Sequence, residues 1–493
     1  MIIASSTTPA AWITARSGYS AGSCASTCAS AARSDTSQAT TRTCAPARVR
    51  SVTNSVTSGP SSAQMQQYLE SYVDRFSLQP AIRLETEVTH ATPTDSPGWS
   101  LTVRSSGASE QQLQVDHLVV ANGVYSDPAM PEFLGAYRFR DAGYRICHAV
   151  DVNDLEAARG KSVVIVGYGK TACDIAAAVS EVAAETTVVA RRILWKMPAK
   201  LGNVIGFEQL ELCRQGEAGF AYLQQKRLER LLHGPGRPVL AGSYALIQAI
   251  VTRQLRLRTL GLLPDVPFEM IAESTEGLAT EGFFDKVAAG SIAVLRDTSI
   301  IQLLPTGAAE LSNGTKIPAE LVICATGYRQ RIPFIDPQIQ ARIIDEKGNF
   351  RLYRNILPPG VPDLTFAGYN SSGISVLGAE IGALWTAGLL TGRLQLPPAE
   401  YQYAEADRRL AWMEARTNGK HAHGGSITPF SIHNIDEMLN DLGSNLGPLM
   451  RAWQWVAPLN PRSYRKVMNT PLSRSAESTV IDDSQGAVTR SRV

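Results

Sequence analysis

The stretch that most restricts how this chain can fold is VVIVGYGKTACDIAAAVSE, residues 163–181. A short β-branched run meets a turn of small residues and passes into an alanine-rich helical pattern. Gly167, Gly169 and Ala172 fit the spacing G-x-G-x-x-G/A. In that pattern the first glycine permits a tight strand-to-helix turn, the second lets backbone approach a pyrophosphate, and the third small residue lets the helix pack on the strand. The context is the required one: a predicted strand over 163–166, a helix from Thr171 and a second strand over 186–190. A helix N-terminus placed there offers unpaired N–H groups and a positive dipole end to phosphate. The expectation is a dinucleotide site with Gly167, Gly169, Lys170, Thr171 and Ala172 as candidate residues. The competing reading is a glycine turn that serves geometry alone.

The second strand of this unit ends in VVARR. A site selective for NADH places Asp or Glu there, to bind the ribose hydroxyls. Arg191 and Arg192 stand there instead. A guanidinium can hold a 2′-phosphate in a bidentate fork, whereas a carboxylate would repel it. NADPH is therefore expected over NADH, the alternative being that one or both arginines are simply solvated.

Composition excludes other classes. A chain of 493 residues has room for two or three domains. A net charge of +2 gives no reason to expect nucleic acid or an anionic membrane as partner. No apolar run reaches about 18 residues. The nearest candidate, PVLAGSYALIQAIVTRQLRL, is broken by Ser243, Tyr244, Gln248 and Arg253. The seven cysteines include no CxxC pair, and Cys173 and Cys324 sit in apolar contexts as small buried thiols. This implies a reducing, cytoplasmic location without a disulfide framework. The histidines show no ligand-like spacing, so no metal is expected, and HAHGG at 421–425 reads as a polar loop rather than a metal tract.

Residues 1–60 differ from the rest: rich in Ser, Thr and Ala, with Arg16, Arg33, Arg42, Arg48 and Arg50 but Asp35 as the only acid. Such a segment buries little apolar surface and is expected to be poorly ordered. Its composition also fits a mitochondrial transit peptide or a wrongly started gene model. Order is expected from SSAQMQQYLESYVDRF, where Ser61 and Gln64 have capping-box spacing. IRLETEVTH and WSLTVRS read as strands and VDHLVVANG as a buried strand ending in a turn. Residues 193–290 look mainly helical, including GFAYLQQKRLERLL. Strands return at IAVLRD, IIQLLP, LVICATGY and LTFAGYN. A glycine-punctuated apolar helix, LGAEIGALWTAGLL, and a polar amphipathic one, PAEYQYAEADRRLAWMEAR, follow. Residues 471–493 read as a disordered tail.

Six motifs occur in order: VVANGVYSDPAMPEF (119–133), VVIVGYGKTACDIA (163–176), RRILWKMP (191–198), LVICATGY (321–328), LTFAGYN (364–370) and GAEIGALWTAGLLTG (378–392). Together they resemble the flavin-containing monooxygenases, the class B flavoprotein monooxygenases that use FAD and NADPH. The likeness spans roughly residues 60–420. It implies an α/β fold of two Rossmann-like, three-layer dinucleotide-binding domains, with an NADPH domain inserted into a discontinuous FAD domain. On that plan 61–155 and 321–400 are the two FAD-domain segments, 156–320 is the insert and 401–470 a helical extension. The turn at Gly167 is then the second fingerprint, which is why it comes late. Asn122 and Gly123, and Ala325, Thr326 and Gly327, map to turns at the domain junction. Glu380 maps to the helix beside the flavin. The implied chemistry is NADPH reduction of FAD, capture of O2 as a C4a-hydroperoxyflavin, and insertion of one oxygen atom into a small organic substrate by N- or S-oxygenation or Baeyer–Villiger reaction. The alternatives are a catalytically silent nucleotide-binding protein without a competent FAD site, and a flavin-linked NADPH oxidase.

Three departures from the family pattern are visible. Residues 1–60 contain only Gly18, Gly22 and Gly59, and no G-x-G-x-x-G turn for the FAD pyrophosphate. The family's Asn-before-Pro beside the flavin aligns with Cys44 in RTCAP, and a thiol is a poor substitute for a carboxamide. The F-x-G-x-x-x-H motif is blurred: Phe139, Gly143 and His148 lie at altered spacing, with Val152 in the aromatic place. His148 is either an orienting residue at the domain linker or a satisfied structural histidine.

Overall fold

Five parallel strands form the sheet that carries the Gly167 turn. The structure, a computed structural model, describes residues 2–4, 11–13, 62–105, 107, 109–273, 277–370, 372–417 and 430–469. The strands lie in the order Ala293–Arg296, Glu185–Ala190, Ser162–Val166, Leu321–Cys324, Arg145–His148, and each neighbouring pair is parallel. The central strands are buried on both faces and read as continuous apolar runs, as a covered parallel sheet requires. Val163, Ile165, Val188 and Ile323 face one core, with Ala172, Cys173 and Ala176 of the helix Lys170–Val179. Val164, Val189 and Val322 face another, with Phe139 and Leu303.

The helix begins at Lys170, one residue before the expected start, because Gly169 is its extended N-cap. The strands Arg145–His148 and Leu321–Cys324, which the domain plan placed in the flanking segments, pair within this sheet. The chain leaves Ser162–Val166 toward one edge and returns on the other side at Leu321–Cys324, so these two neighbours form the topological switch point.

A second sheet has the order Leu364–Phe366, His117–Val120, Ile2–Ala4, Ala11–Ile13, Ile82–Arg83. Its first pair is parallel, whereas Ile2–Ala4 runs antiparallel to His117–Val120. A first dinucleotide-binding strand would run parallel there. The expectation of an unordered arm over 1–60 falls mainly outside the described residues, as do the tail beyond residue 469, Ser61, Cys44 and HAHGG. IRLETEVTH divides into Ile82–Arg83 and Thr86–Pro93, separated at Glu85, whose φ is +52°. The latter forms an antiparallel meander with Trp99–Ser105 and Gln111–Val115.

Residues 193–290 are less helical than their pattern suggests. A two-strand hairpin, Lys200–Leu201 with Ile205–Gly206, interrupts them. GFAYLQQKRLERLL becomes helix only from Arg227. Tyr222 points into the interior and donates to Glu437 at 2.6 Å, and Lys226 caps the helix through Glu229. Tertiary hydrogen bonds here outcompete local helix propensity. The excursion formed by residues 207–233 meets the C-terminal helix Ser431–Asp441, which also packs on Ser375–Leu390.

Candidate functional site

The backbone of the phosphate turn is set by crowding on one side and space on the other. Gly167 has φ +121°, and a Cβ there would lie 2.7 Å from the carbonyl oxygen of Ala325. No residue with a side chain fits this approach. Ala325 in turn donates its N–H to Val166 O at 3.0 Å, which joins the two strands at the switch point. At Gly169 a Cβ would meet nothing within 4 Å, so that face of the turn is open. Ala172 is fully buried against the sheet. Each small residue therefore has the surroundings that a dinucleotide fingerprint requires.

Arg191 and Arg192 follow the neighbouring strand and are both exposed at its carboxyl end. Thr171 is exposed in the first helical turn. Lys170 turns back along the helix to Asp174, at 2.5 and 2.6 Å, and Asp174 also accepts from Thr280 at 2.6 Å. Lys170 is thus held in an i,i+4 pair rather than projecting from the turn. Sequence reading missed Lys196. Its ammonium is buried and lies 5.6 Å from the ring of Tyr168, the residue between the two glycines.

The junction residues serve mainly to join segments. Thr326 Oγ1 donates to Ala129 O at 2.6 Å. Gly327, at φ +81°, accepts from His148 Nε2 at 2.9 Å. His148 Nδ1 accepts the Val150 N–H at 3.3 Å, so the proton resides on Nε2. Burial lowers the imidazole pKa, although the Gly327 carbonyl and the Asp151 charge act to raise it. His148 is a satisfied linker residue that ties the end of its strand to the ATGY crossing.

Asn122 and Gly123 lie beyond the strand His117–Val120, and Tyr369 and Asn370 beyond its parallel neighbour Leu364–Phe366. The carboxyl ends of parallel strands are where such sheets bind ligands. The Asn122 side chain is engaged within the protein: its Nδ2 donates to Arg331 O at 2.8 Å, and its Oδ1 accepts from Tyr369 Oη at 2.6 Å. Gly123 has φ +79° with open space around it. Next to Arg331, Gln330 is buried beside the Tyr369 hydroxyl, and neither of its polar atoms has a well-formed hydrogen bond. Asn370 Nδ2 donates to Asn434 Oδ1 at 3.1 Å, while the buried Asn434 Nδ2 has no acceptor. Buried amides without partners are costly unless a ligand supplies the bond. Glu380, on the helix Ser375–Leu390, has its carboxyl pushed up by burial to about 7. Gln330 and Asn434 carried no signal in the sequence, and Asn370 only as the last residue of LTFAGYN; its pairing with Asn434, 64 residues on, is not written in any spacing.

The sequence model for flavin-binding monooxygenase-like proteins matches residues 246–449, and that for pyridine nucleotide-disulphide oxidoreductases matches 33–201. The chain is 26% identical over 378 residues to probable flavin-containing monooxygenase 1 of Arabidopsis thaliana, covering 71% of this chain and 68% of that protein. Its structure resembles that of S-allyl-L-cysteine S-oxygenase from Allium sativum, with a TM-score of 0.52 and 17% identity over 83% of this chain and 71% of that one. It also resembles OTEMO, solved in complex with FAD and NADP, with a TM-score of 0.56 and 16% identity over 77% of this chain and 84% of that one. These structural likenesses support the two-domain α/β fold.

Proposed function

This chain belongs to the flavin-containing monooxygenase family, and from that premise we propose that it takes electrons from NADPH rather than NADH to transfer one oxygen atom from O2 to a small organic substrate. It is a flavin-dependent monooxygenase whose cofactors are FAD and NADPH. The observation that carries the proposal is the turn itself. Gly169 is open, Gly167 is pressed on Ala325, and two exposed arginines stand at the end of the adjacent strand.

The residues fit NADPH. Backbone N–H groups at Gly169, Lys170 and Thr171 would receive the pyrophosphate, and Arg191 with Arg192 the 2′-phosphate. At the flavin side, the unpaired amides of Gln330 and Asn434 fit a polar ring edge. The sequence carries no second G-x-G-x-x-G spacing for the FAD diphosphate, and the described residues on the flavin side would meet the ring end of FAD. When bound, reduced flavin supplies the activation of O2. The chain's own contribution is to orient the nicotinamide across the switch point and to keep Glu380 in a site where burial favours its protonated form. N- or S-oxygenation and Baeyer–Villiger reaction are both compatible with these residues.

The test is a visible absorption spectrum of the purified chain with and without added FAD, followed by NADPH oxidation in the presence of amines, sulfides and ketones. Bound flavin with an oxygenated product supports the reading. No flavin uptake even from excess FAD would leave a nucleotide-binding protein without monooxygenase chemistry. Peroxide as the only product would make it an NADPH oxidase.

A further inference from the structure

His433 is buried in the first turn of the helix Ser431–Asp441, and both of its ring nitrogens meet carboxylates of the excursion. Nδ1 lies 2.7 Å from Glu217 Oε2 and Nε2 lies 2.8 Å from Glu229 Oε1. Only an imidazolium donates from both nitrogens. Glu217 also accepts the helix's own N–H groups, from Ile432 at 2.6 Å and His433 at 3.2 Å. It thereby caps from outside a helix end that has no cap of its own. Two buried carboxylates from two separate helices are thus closed around one ring.

The surrounding charges leave this ring no other partners. Arg214 binds Asp436 through both terminal nitrogens, at 2.7 and 2.8 Å, and Lys226 and Arg451 pair with the same carboxylate. Arg409 pairs with Glu437 at 2.7 Å and Glu405 at 3.2 Å. Arg354 pairs with Asp441 and Glu405. Tyr222 stacks on His433 with ring centroids 4.3 Å apart and donates to Glu437. The six carboxylates of this cluster face five guanidinium and ammonium groups, and the sixth cation is His433. Burial pushes the Glu217 carboxyl up and His433 opposes this; beside ionised Glu217 and Glu229, a neutral ring would leave a buried carboxylate uncompensated, which is strongly destabilising.

The clamp reaches the proposed flavin side within one residue. Asn434 follows His433 and holds Asn370, beyond the edge strand Leu364–Phe366, with its own Nδ2 unpaired. Ile435, Met438 and Leu439 on the same helix pack on Leu377, Ile381 and Trp385 of Ser375–Leu390.

We propose that His433 is a positioning residue: clamped between Glu217 and Glu229, it fixes the helix Ser431–Asp441 to the excursion and so holds the Asn434–Asn370 pair in place for the flavin. Its effect on flavin rests on the monooxygenase reading, whereas the clamp stands independently. Burial opposes charge on His433, but the two carboxylates outweigh it and raise the imidazole to about 9. The folded value is above the unfolded one, so the stabilisation is complete below about 6.5 and is lost as pH rises through about 9.

The experiment compares the wild-type full chain with His433→Gln, which keeps a hydrogen bond but cannot carry the charge, and Glu229→Gln, which leaves Glu217 in place. Thermal midpoints and limited proteolysis are measured below and above about pH 9. Dissociation constants for FAD and NADP⁺ are measured at neutral pH. The wild type is expected to lose stability above that pH and to become cleavable within 207–233. The variants should show these properties already at neutral pH, with FAD affinity weakened about tenfold and NADP⁺ affinity changed less than about twofold. A wild-type pH profile no different from that of the variants, or FAD affinity unaltered in both, overturns the proposal. If His433→Gln does not fold, Glu229→Gln decides the same points. Should the wild type take up no FAD, the monooxygenase reading fails, while the pH and proteolysis arms still decide the clamp.

Discussion

Gly167 and Ala325 are in backbone contact across the switch point of the five-stranded sheet: a Cβ on Gly167 would come within 2.7 Å of the Ala325 carbonyl oxygen. The glycine turn proposed to receive the nucleotide and the ICATG crossing are therefore one unit. Gly169, two residues on, has no neighbour that a Cβ would touch.

This contrast separates two alanine substitutions. Gly167→Ala is expected to destabilise the fold by a few kcal/mol, through positive φ and backbone collision. Gly169→Ala should leave the thermal midpoint within about a degree or two and weaken NADPH binding about tenfold or more, because the methyl group stands where the pyrophosphate approaches. Thermal unfolding and NADPH titration of both variants check this. A Gly169→Ala protein that binds NADPH normally would remove the turn from the site.

The arginines at the end of Glu185–Ala190 are expected to set coenzyme choice. Replacing both Arg191 and Arg192 by Ala should raise the KM for NADPH about tenfold to a hundredfold and leave that for NADH nearly unaltered. Steady-state kinetics with the two coenzymes measure the ratio. Equal changes for both would mean that the arginines do not contact the 2′-phosphate.

Acid should destabilise the second sheet through His117. Its Nε2 lies 3.0 Å from Thr365 Oγ1 in the adjacent strand. Burial holds the imidazole down at about 4, with Asp363 opposing only in part. The folded value is below the unfolded one, so the native state binds fewer protons between about 4 and about 6.5, and stability falls as pH drops through that window. The loss is on the order of 3 kcal/mol at the acid end. His117→Gln should flatten this part of the pH profile, as read from urea midpoints at neutral pH and near pH 4.

Arg354 should be among the least replaceable residues outside the nucleotide turns. Its side chain is 11% exposed, pairs with Asp441 at 2.7 Å and with Glu405, and Asp441 also accepts from Trp385 Nε1 at 3.0 Å. Arg354→Met leaves Asp441 without its cation and Glu405 with Arg409 alone, and is expected to cost about 3–5 kcal/mol. Denaturant unfolding measures the loss. A cost below about 1 kcal/mol would place the pair among solvated surface bridges.

Local chemistry determined a large part of this protein. The β-branched runs at 162–166, 185–190 and 321–324 read as strands, the first two as a βαβ unit, and the small residues at 167, 169 and 172 as a tight turn into a helix, as the structure has them. These features act over a few residues, so their spacing is legible in one dimension. The arginines at 191 and 192 were legible for the same reason. Tertiary structure decided what depends on distant partners. Residues 219–226 fit a helix but are held open, because Tyr222 is drawn to Glu437. Lys170 had the position of a phosphate ligand but closes on Asp174. Glu217, Glu229 and His433 gave no signal, since carboxylates and an imidazole more than 200 residues apart form a charged cluster only when folding removes them from water. Burial makes those charges interdependent, and no spacing along the chain records it.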